Sequence, residues 1–166
     1  MDQEPFLALL EANKHRVLRI CRAYASDQAT QQDLFQEVVL QLWQSFETFR
    51  GDAHRATWLY RIALNVCIKA KCKLDRHQRR QVQLEGIQFR SESHEPTWER
   101  QERHALLHRC IAALPEADRS LVVLFLEGMA YREIAEVVGI SENHVAVKMK
   151  RIKEKLRTCL PLELYE

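Results

Sequence analysis

A glycine set between two amphipathic helical patterns constrains this chain more than any other feature. In Tyr131 to Arg157 the first pattern turns Ile134, Ala135 and Val138 to one side. Gly139 then supplies a residue that tolerates the left-handed conformation of a sharp helix stop. Ile140 plugs the corner, and Ser141 is the expected N-cap of a second helix, accepting from the amide of Asn143 or His144. In that helix Val145, Met149, Ile152 and Leu156 recur at steps of four, three and four, which makes one buried stripe. The pattern predicts a helix-turn-helix.

The far face of the second helix carries Lys148, Lys150, Arg151, Lys153, Lys155 and Arg157, opposed by Glu154 alone. Ser141, Asn143, His144, Ala146 and Val147 cluster at its N-terminal end. A helix docked in a major groove needs this order: small or polar side chains toward base edges, then cations that neutralise phosphates. A solvated basic face is the plain alternative, and the turn spacing in front of the helix favours the duplex.

Net charge over 166 residues is only +2, so location rather than amount must carry the electrostatic argument. Lys69, Lys71, Lys73, Arg76, Arg79 and Arg80 against Asp75 form a second basic run, and residues 81 to 104 between the two runs are mildly acidic. Two basic faces joined by an acidic connector suggest contact with nucleic acid at two places. The start Met-Asp-Gln-Glu-Pro is acidic, and Leu121 to Leu126 is far too short to span a bilayer, so a cytoplasmic protein without membrane insertion is expected. Five cysteines without a CxxC pair predict reduced thiols and no disulfide framework. Cys67, Cys72 and His77 fit no usual zinc spacing, so neither metal nor cofactor is expected.

Along the chain, a first helix is predicted from Pro5 to Ala25, with Phe6, Leu10, Val17, Ile20, Cys21 and Tyr24 near one face. Ser26 to Ala29 breaks it; the next helix opens at Thr30, with Asp33 in its first turn. Leu34, Phe35, Val38, Val39, Leu42, Trp43 and Phe46 are its core stripe. Its outer side, Gln36, Glu37, Leu40, Gln41 and Gln44, is weakly charged and suits a protein contact. A third helix begins near Arg55 to Thr57 and buries Trp58, Leu59, Ile62, Ala63, Val66 and Ala70. Arg61, Asn65, Lys69 and Lys73 remain for a phosphate backbone and a base edge, and Phe49, Trp58 or Tyr60 could stack on an unpaired base, although Trp58 above all suits the core. Gly86 and Pro96 interrupt a linker from 81 to 104, in which Trp98 is out of place. Helix resumes at Leu106, Pro115 opens another with Glu116 and Asp118 behind it, and Gly128 ends that one.

Asp33 to Trp43, Phe49-Arg50-Gly51, and Thr57 to Val66 resemble the promoter −10-binding domain of bacterial sigma-70 family factors; Leu114 to Leu156 resembles their −35-binding domain. Length and plan resemble the extracytoplasmic-function (ECF) group. The resemblance implies an all-α chain of three parts. Residues 1–80 would bind core RNA polymerase and the −10 element, 81–104 would be an acidic linker, and 105–166 would bind the −35 element. It implies a polymerase contact through Asp33, Gln36, Glu37, Leu40, Gln41 and Gln44. It assigns Phe49, Arg50, His54 and Arg55 to capture of an unpaired −10 base and Asn65 with Lys69 to the −10 strand, beside Arg61 and Lys73. Core RNA polymerase and promoter DNA are the implied partners, with an anti-sigma factor as a further one. Three residues depart from the pattern. Ala130 stands where the family carries a capping Ser or Thr, which leaves Glu133 or packing to hold that helix start; Ala146 and Val147 could meet thymine methyls.

The expected function is therefore transcription initiation without a catalytic site, since no nucleophile, base and orienter set is present. A stand-alone helix-turn-helix regulator is the alternative, and it leaves the Gln-rich face unexplained. A free chain that folds back on itself, or onto an anti-sigma partner, would mask both basic faces.

Overall fold

The computed structural model describes residues 3–49, 54–80 and 98–160. Among them it has seven α-helices and no strand: α1 (Gln3–Tyr24), α2 (Gln28–Phe46), α3 (Arg55–Arg80), α4 (Trp98–Ala112), α5 (Glu116–Leu126), α6 (Tyr131–Val138) and α7 (Glu142–Cys159). Arg50, the glycine bend at Gly51, most of the acidic linker and Pro161 lie outside the described residues.

The helix starts show which local signals won. Asp27, read as part of a break, is the N-cap of α2, and its carboxylate accepts from the Thr30 amide at 2.8 Å. That bond, with those from the Ser26 and Thr30 hydroxyls, holds the Asp27 carboxyl below its usual range. Thr30 is thus inside the helix, and Asp33 lies past its first turn. Trp98 opens α4 within the stretch read as linker: once Pro96 is passed, Glu, Arg, Gln, Ala and Leu favour helix without interruption. α6 begins on Ala130, whose side chain caps nothing; instead the Ala130 amide donates to the Glu133 carboxylate at 2.7 Å.

α1, α2 and α3 enclose Val17, Ile20, Leu34, Val38, Leu42, Leu59 and Ala63, with Phe6 edge-on to Trp43 and Phe46 at 4.9 and 5.4 Å. α4 to α7 enclose Ile111, Leu121, Leu124, Ile134, Val145, Met149 and Ile152. In α6 the buried valine is Val137, with Val138 only partly covered. Leu126 at the end of α5 is exposed. The two apolar groups are continuous, because α1 and α3 pack directly on α5 and α6. The two helical units therefore share a core.

The expectation of reduced thiols fails at one pair: Cys110 and Cys159 form a disulfide. They are 49 residues apart, and only the packing of α4 on α7 brings their Cα atoms to 6.0 Å. Closing a loop of that size restricts the unfolded chain by about 4 kcal/mol in the chain-entropy picture. Cys21, Cys67 and Cys72 are free.

Ile152 is fully buried on α7, so Ile152→Ala is expected to lower unfolding free energy by about 2–5 kcal/mol in a denaturant titration. The exposed cap substitution Ser141→Ala should cost about 1 kcal/mol.

Candidate nucleic-acid and protein interfaces

The turn before α7 is built as its sequence requires. Gly139 takes φ 77° and ψ 34° at the end of α6, and the Ser141 hydroxyl accepts from the His144 amide at 3.3 Å. Val145, Met149 and Ile152 point into the core and have no exposure. That leaves Ser141, Asn143 and His144 exposed, with Val147 more than half exposed and Ala146 partly covered.

The basic face of α7 is not uniformly free. Lys148 and Lys155 both close on Asp118 of α5, at 3.2 and 2.8 Å. Burial pushes the Asp118 carboxyl up, and the hydrogen bonds from Lys155 and Lys148 outweigh it, holding the group below the usual carboxylate range. Lys153 lies 4.7 Å over the Phe125 ring. Lys150, Arg151 and Arg157 make no ion pair among the described residues. The exposed pair Lys150 and Arg151 therefore carries the unspent charge nearest the N-terminal end of the helix, which the sequence predicts to face base edges.

On α3, Arg61, Asn65, Lys69 and Lys73 follow one another at four-residue steps, and the last three are exposed and unengaged among the described residues. Arg61 is spent otherwise: its guanidinium donates to the carbonyls of Glu136 and, at 3.1 Å, Val137, so it caps the C-terminal end of α6. His54 and Arg55 are exposed at the start of α3, and Phe49 rests on Trp58 at 5.1 Å. Trp58 is only partly covered, whereas Tyr60 is the buried aromatic. The Tyr60 hydroxyl donates to Asn13 at 2.8 Å and accepts from Arg16 at 3.1 Å, which removes it from any base-stacking role.

Arg61 and Asn65 of the first unit share a cleft of about 530 Å³ with Lys148, Glu116 and Gly139 of the second. The two predicted DNA faces thus meet at one seam. Arg19 of α1 forms a two-pronged ion pair with Glu127 at 2.8 and 2.6 Å, and the Glu127 side chain is nearly buried. The Tyr24 hydroxyl and Ser120 are hydrogen-bonded at 2.9 Å, while Arg119 lies 5.3 Å over the Tyr24 ring. Burial pushes the Tyr24 phenol up to about 12, so it remains protonated. Sequence reading missed this seam. Arg19 lies on the polar side of α1, Asp118 reads as a dipole-complementing acid, and no spacing along the chain pairs residues 108 apart.

α2 turns Asp33, Gln36, Glu37, Leu40, Gln41 and Gln44 to solvent, as the periodicity predicts. Gln41 donates to Glu37 at 3.2 Å. Beside this face runs an apolar groove of about 480 Å³, walled by Phe6, Leu7, Phe35, Val39, Leu40 and Trp43. Leu7 and Leu40 are each about half exposed there.

Residues 9–79 match sigma-70 region 2, and residues 104–156 match sigma-70 region 4. The RNA polymerase sigma-H factor of Pseudomonas aeruginosa is 31% identical, an alignment covering 96% of this chain and 88% of that protein. The ECF RNA polymerase sigma-E factor of Escherichia coli K12 is 29% identical over 93% of this chain and 86% of its own length. Two solved structures share the fold. CnrH, in complex with the cytosolic domain of CnrY, superposes with TM-score 0.73 at 20% identity, over 99% of this chain and 92% of that one. The sigma factor RpoE of Bartonella quintana, in complex with the anti-sigma factor NepR, gives 0.70 at 16% identity over 96% of each. Both DNA-binding regions are present in order, and the likeness to sigma-H runs almost end to end, so the chain belongs to the ECF group of the sigma-70 family, the factors that direct RNA polymerase to promoters and initiate transcription.

Proposed function

We propose that the exposed α2 residues Asp33, Gln36, Glu37, Leu40, Gln41 and Gln44 are this factor's contact with core RNA polymerase. In the same reading, His54, Arg55, Asn65, Lys69 and Lys73, with Phe49 and Arg50, engage the −10 element, and the exposed N-terminal half of α7 reads the −35 element. The observation that carries the polymerase contact is the α2 face itself. It is weakly charged, continuous with an apolar groove, and uncovered by any described part of the chain. A stand-alone duplex-binding regulator would have no use for it.

Each DNA interface is small, so polymerase, by holding both units on one promoter, converts the second contact into an intramolecular one. In the packed arrangement Arg61 caps α6 and Asn65 lines the seam cleft, while Lys69 and Lys73 stay exposed. Engagement of both promoter elements therefore requires the units to separate, which breaks the Arg19–Glu127 pair, the Tyr24–Ser120 bond and the Arg61 bonds to α6 and uncovers the apolar surface where α1 and α3 pack on α5 and α6. An anti-sigma partner would act by favouring the packed arrangement over the separated one. The protein would work in the cytoplasm, with RNA polymerase and the genome.

The direct test is size-exclusion chromatography with core RNA polymerase, then transcription from fragments of the source genome. Co-elution with defined start sites is expected; tight duplex binding without co-elution would replace this reading with the stand-alone regulator. Leu40→Glu should abolish co-elution while leaving helix content by circular dichroism unchanged. Arg151→Ala should reduce the salt slope of −35 duplex binding by about one, and Lys148→Ala by less, because Asp118 already compensates that lysine. Arg19→Glu places two carboxylates at the seam, and small-angle scattering should show a larger radius of gyration than wild type.

A further inference from the structure

Four of the five cysteines stand in two close pairs, and the pairs differ in what can reach them. Cys21 and Cys67 face each other across α1 and α3 with sulfurs 4.0 Å apart, and both are fully buried. Their mutual hydrogen bond and burial push the Cys67 thiol far up, so no thiolate forms there and an oxidant has no path to either sulfur. Cys72 is likewise held back by its hydrogen bond to Glu116 at 3.5 Å, which raises its pKa. Cys110 and Cys159 are the reverse case. Cys110, in the last turn of α4, is buried, but Cys159 is the final residue of α7 and lies in solvent.

We propose that Cys110 and Cys159 are a reversible thiol–disulfide site, oxidised by a hydroperoxide and reduced by a dithiol, that sets how firmly the DNA-reading helix is held to its domain. Position supports this. The last core anchor of α7 is Ile152; beyond it Leu156 is partly covered, while Lys153, Glu154, Lys155, Arg157 and Thr158 are exposed. The final two turns are thus tied by Lys153 against Phe125 and the Tyr131 hydroxyl, by Leu156, by the Lys155–Asp118 ion pair and, at their end, by the disulfide. The same bond closes a loop that contains α5, α6 and α7, the whole helix-turn-helix.

The chemistry balances at these two sulfurs. In the oxidising direction the exposed Cys159 thiolate attacks one peroxide oxygen, the O–O bond breaks, and the alcohol leaves after taking a proton. Cys110 sulfur then displaces hydroxide from the Cys159 sulfenic acid. The S–S bond forms, water is released with the Cys110 proton, and two electrons have passed from the thiols to the peroxide. In the reverse direction a thiolate of the dithiol attacks Cys159 sulfur and Cys110 leaves and is protonated. The second thiol of the reductant then resolves the mixed disulfide, returning Cys159 as a thiol and the dithiol as its own disulfide. With the bond open, the last two turns of α7 become the low-stability end of the domain, and Lys155 and Arg157 fray with them.

The test uses the full chain, treated with hydrogen peroxide or with dithiothreitol, and reads disulfide mapping by mass spectrometry and amide exchange over residues 153–159. Cys159→Ser serves as the variant because that residue is exposed and its replacement leaves Cys110 in the core. Peroxide should yield the Cys110–Cys159 linkage and exchange at least tenfold slower than in dithiothreitol; Cys159→Ser should show the fast exchange in both. Linkage of other cysteines, equal exchange in the two states, or a peroxide response retained by Cys159→Ser would each overturn the proposal. None of these readouts depends on polymerase, so a failure here is distinguishable from a failure of the assigned α2 contact.

Discussion

Arg19 closes on Glu127 at the end of α5, and that contact decides which surfaces of this sigma factor are available. A nearly buried carboxylate held by both prongs of a guanidinium is costly to leave unpaired, and it sits on the rim of an apolar cluster that already runs from α1 into α5. Across the same junction Tyr24 reaches Ser120 and Arg61 reaches the carbonyls that end α6. Polar groups that a lone α3 would offer to a phosphate backbone are then partly satisfied within the chain. The arrangement is held by the shared apolar cluster and by a small set of polar contacts, of which Arg19–Glu127 is partly open to solvent and Tyr24–Ser120 is buried.

Charge is managed in the same way within the second unit. Six cations decorate α7, yet Asp118 draws two of them inward and Phe125 lies beneath a third. The helix therefore presents a narrow cationic strip instead of a uniformly basic face. A uniformly basic helix would bind any duplex through counterion release; a narrow strip supplies less of that sequence-independent attraction, and it lies beside the exposed Asn143, His144 and Val147.

Much of the fold was legible in the sequence because helix periodicity, glycine stops and Ser141 are local signals. The buried stripe of α7, the left-handed Gly139, the outward face of α2 and the four-helix composition of the second unit all follow from spacing. Asp27 was misplaced because capping competes among neighbouring Ser, Asp and Thr residues, and the carboxylate that reaches an amide two to three residues on prevails. Trp58 and Tyr60 exchanged expected roles. Which of two neighbouring aromatics is sealed depends on what covers it, and Asn13 and Arg16 of α1 cover Tyr60.

By itself the sequence determined the helices, their apolar faces and the two DNA-binding regions, since each is written in residues within a few turns of one another. Tertiary structure alone decided that the two units share a core, that Arg61 and Lys148 have partners inside the chain, and that Cys110 meets Cys159. The physical reason is range. Periodicity records which side of a helix turns away from water, and it carries no information about which other helix will meet that side.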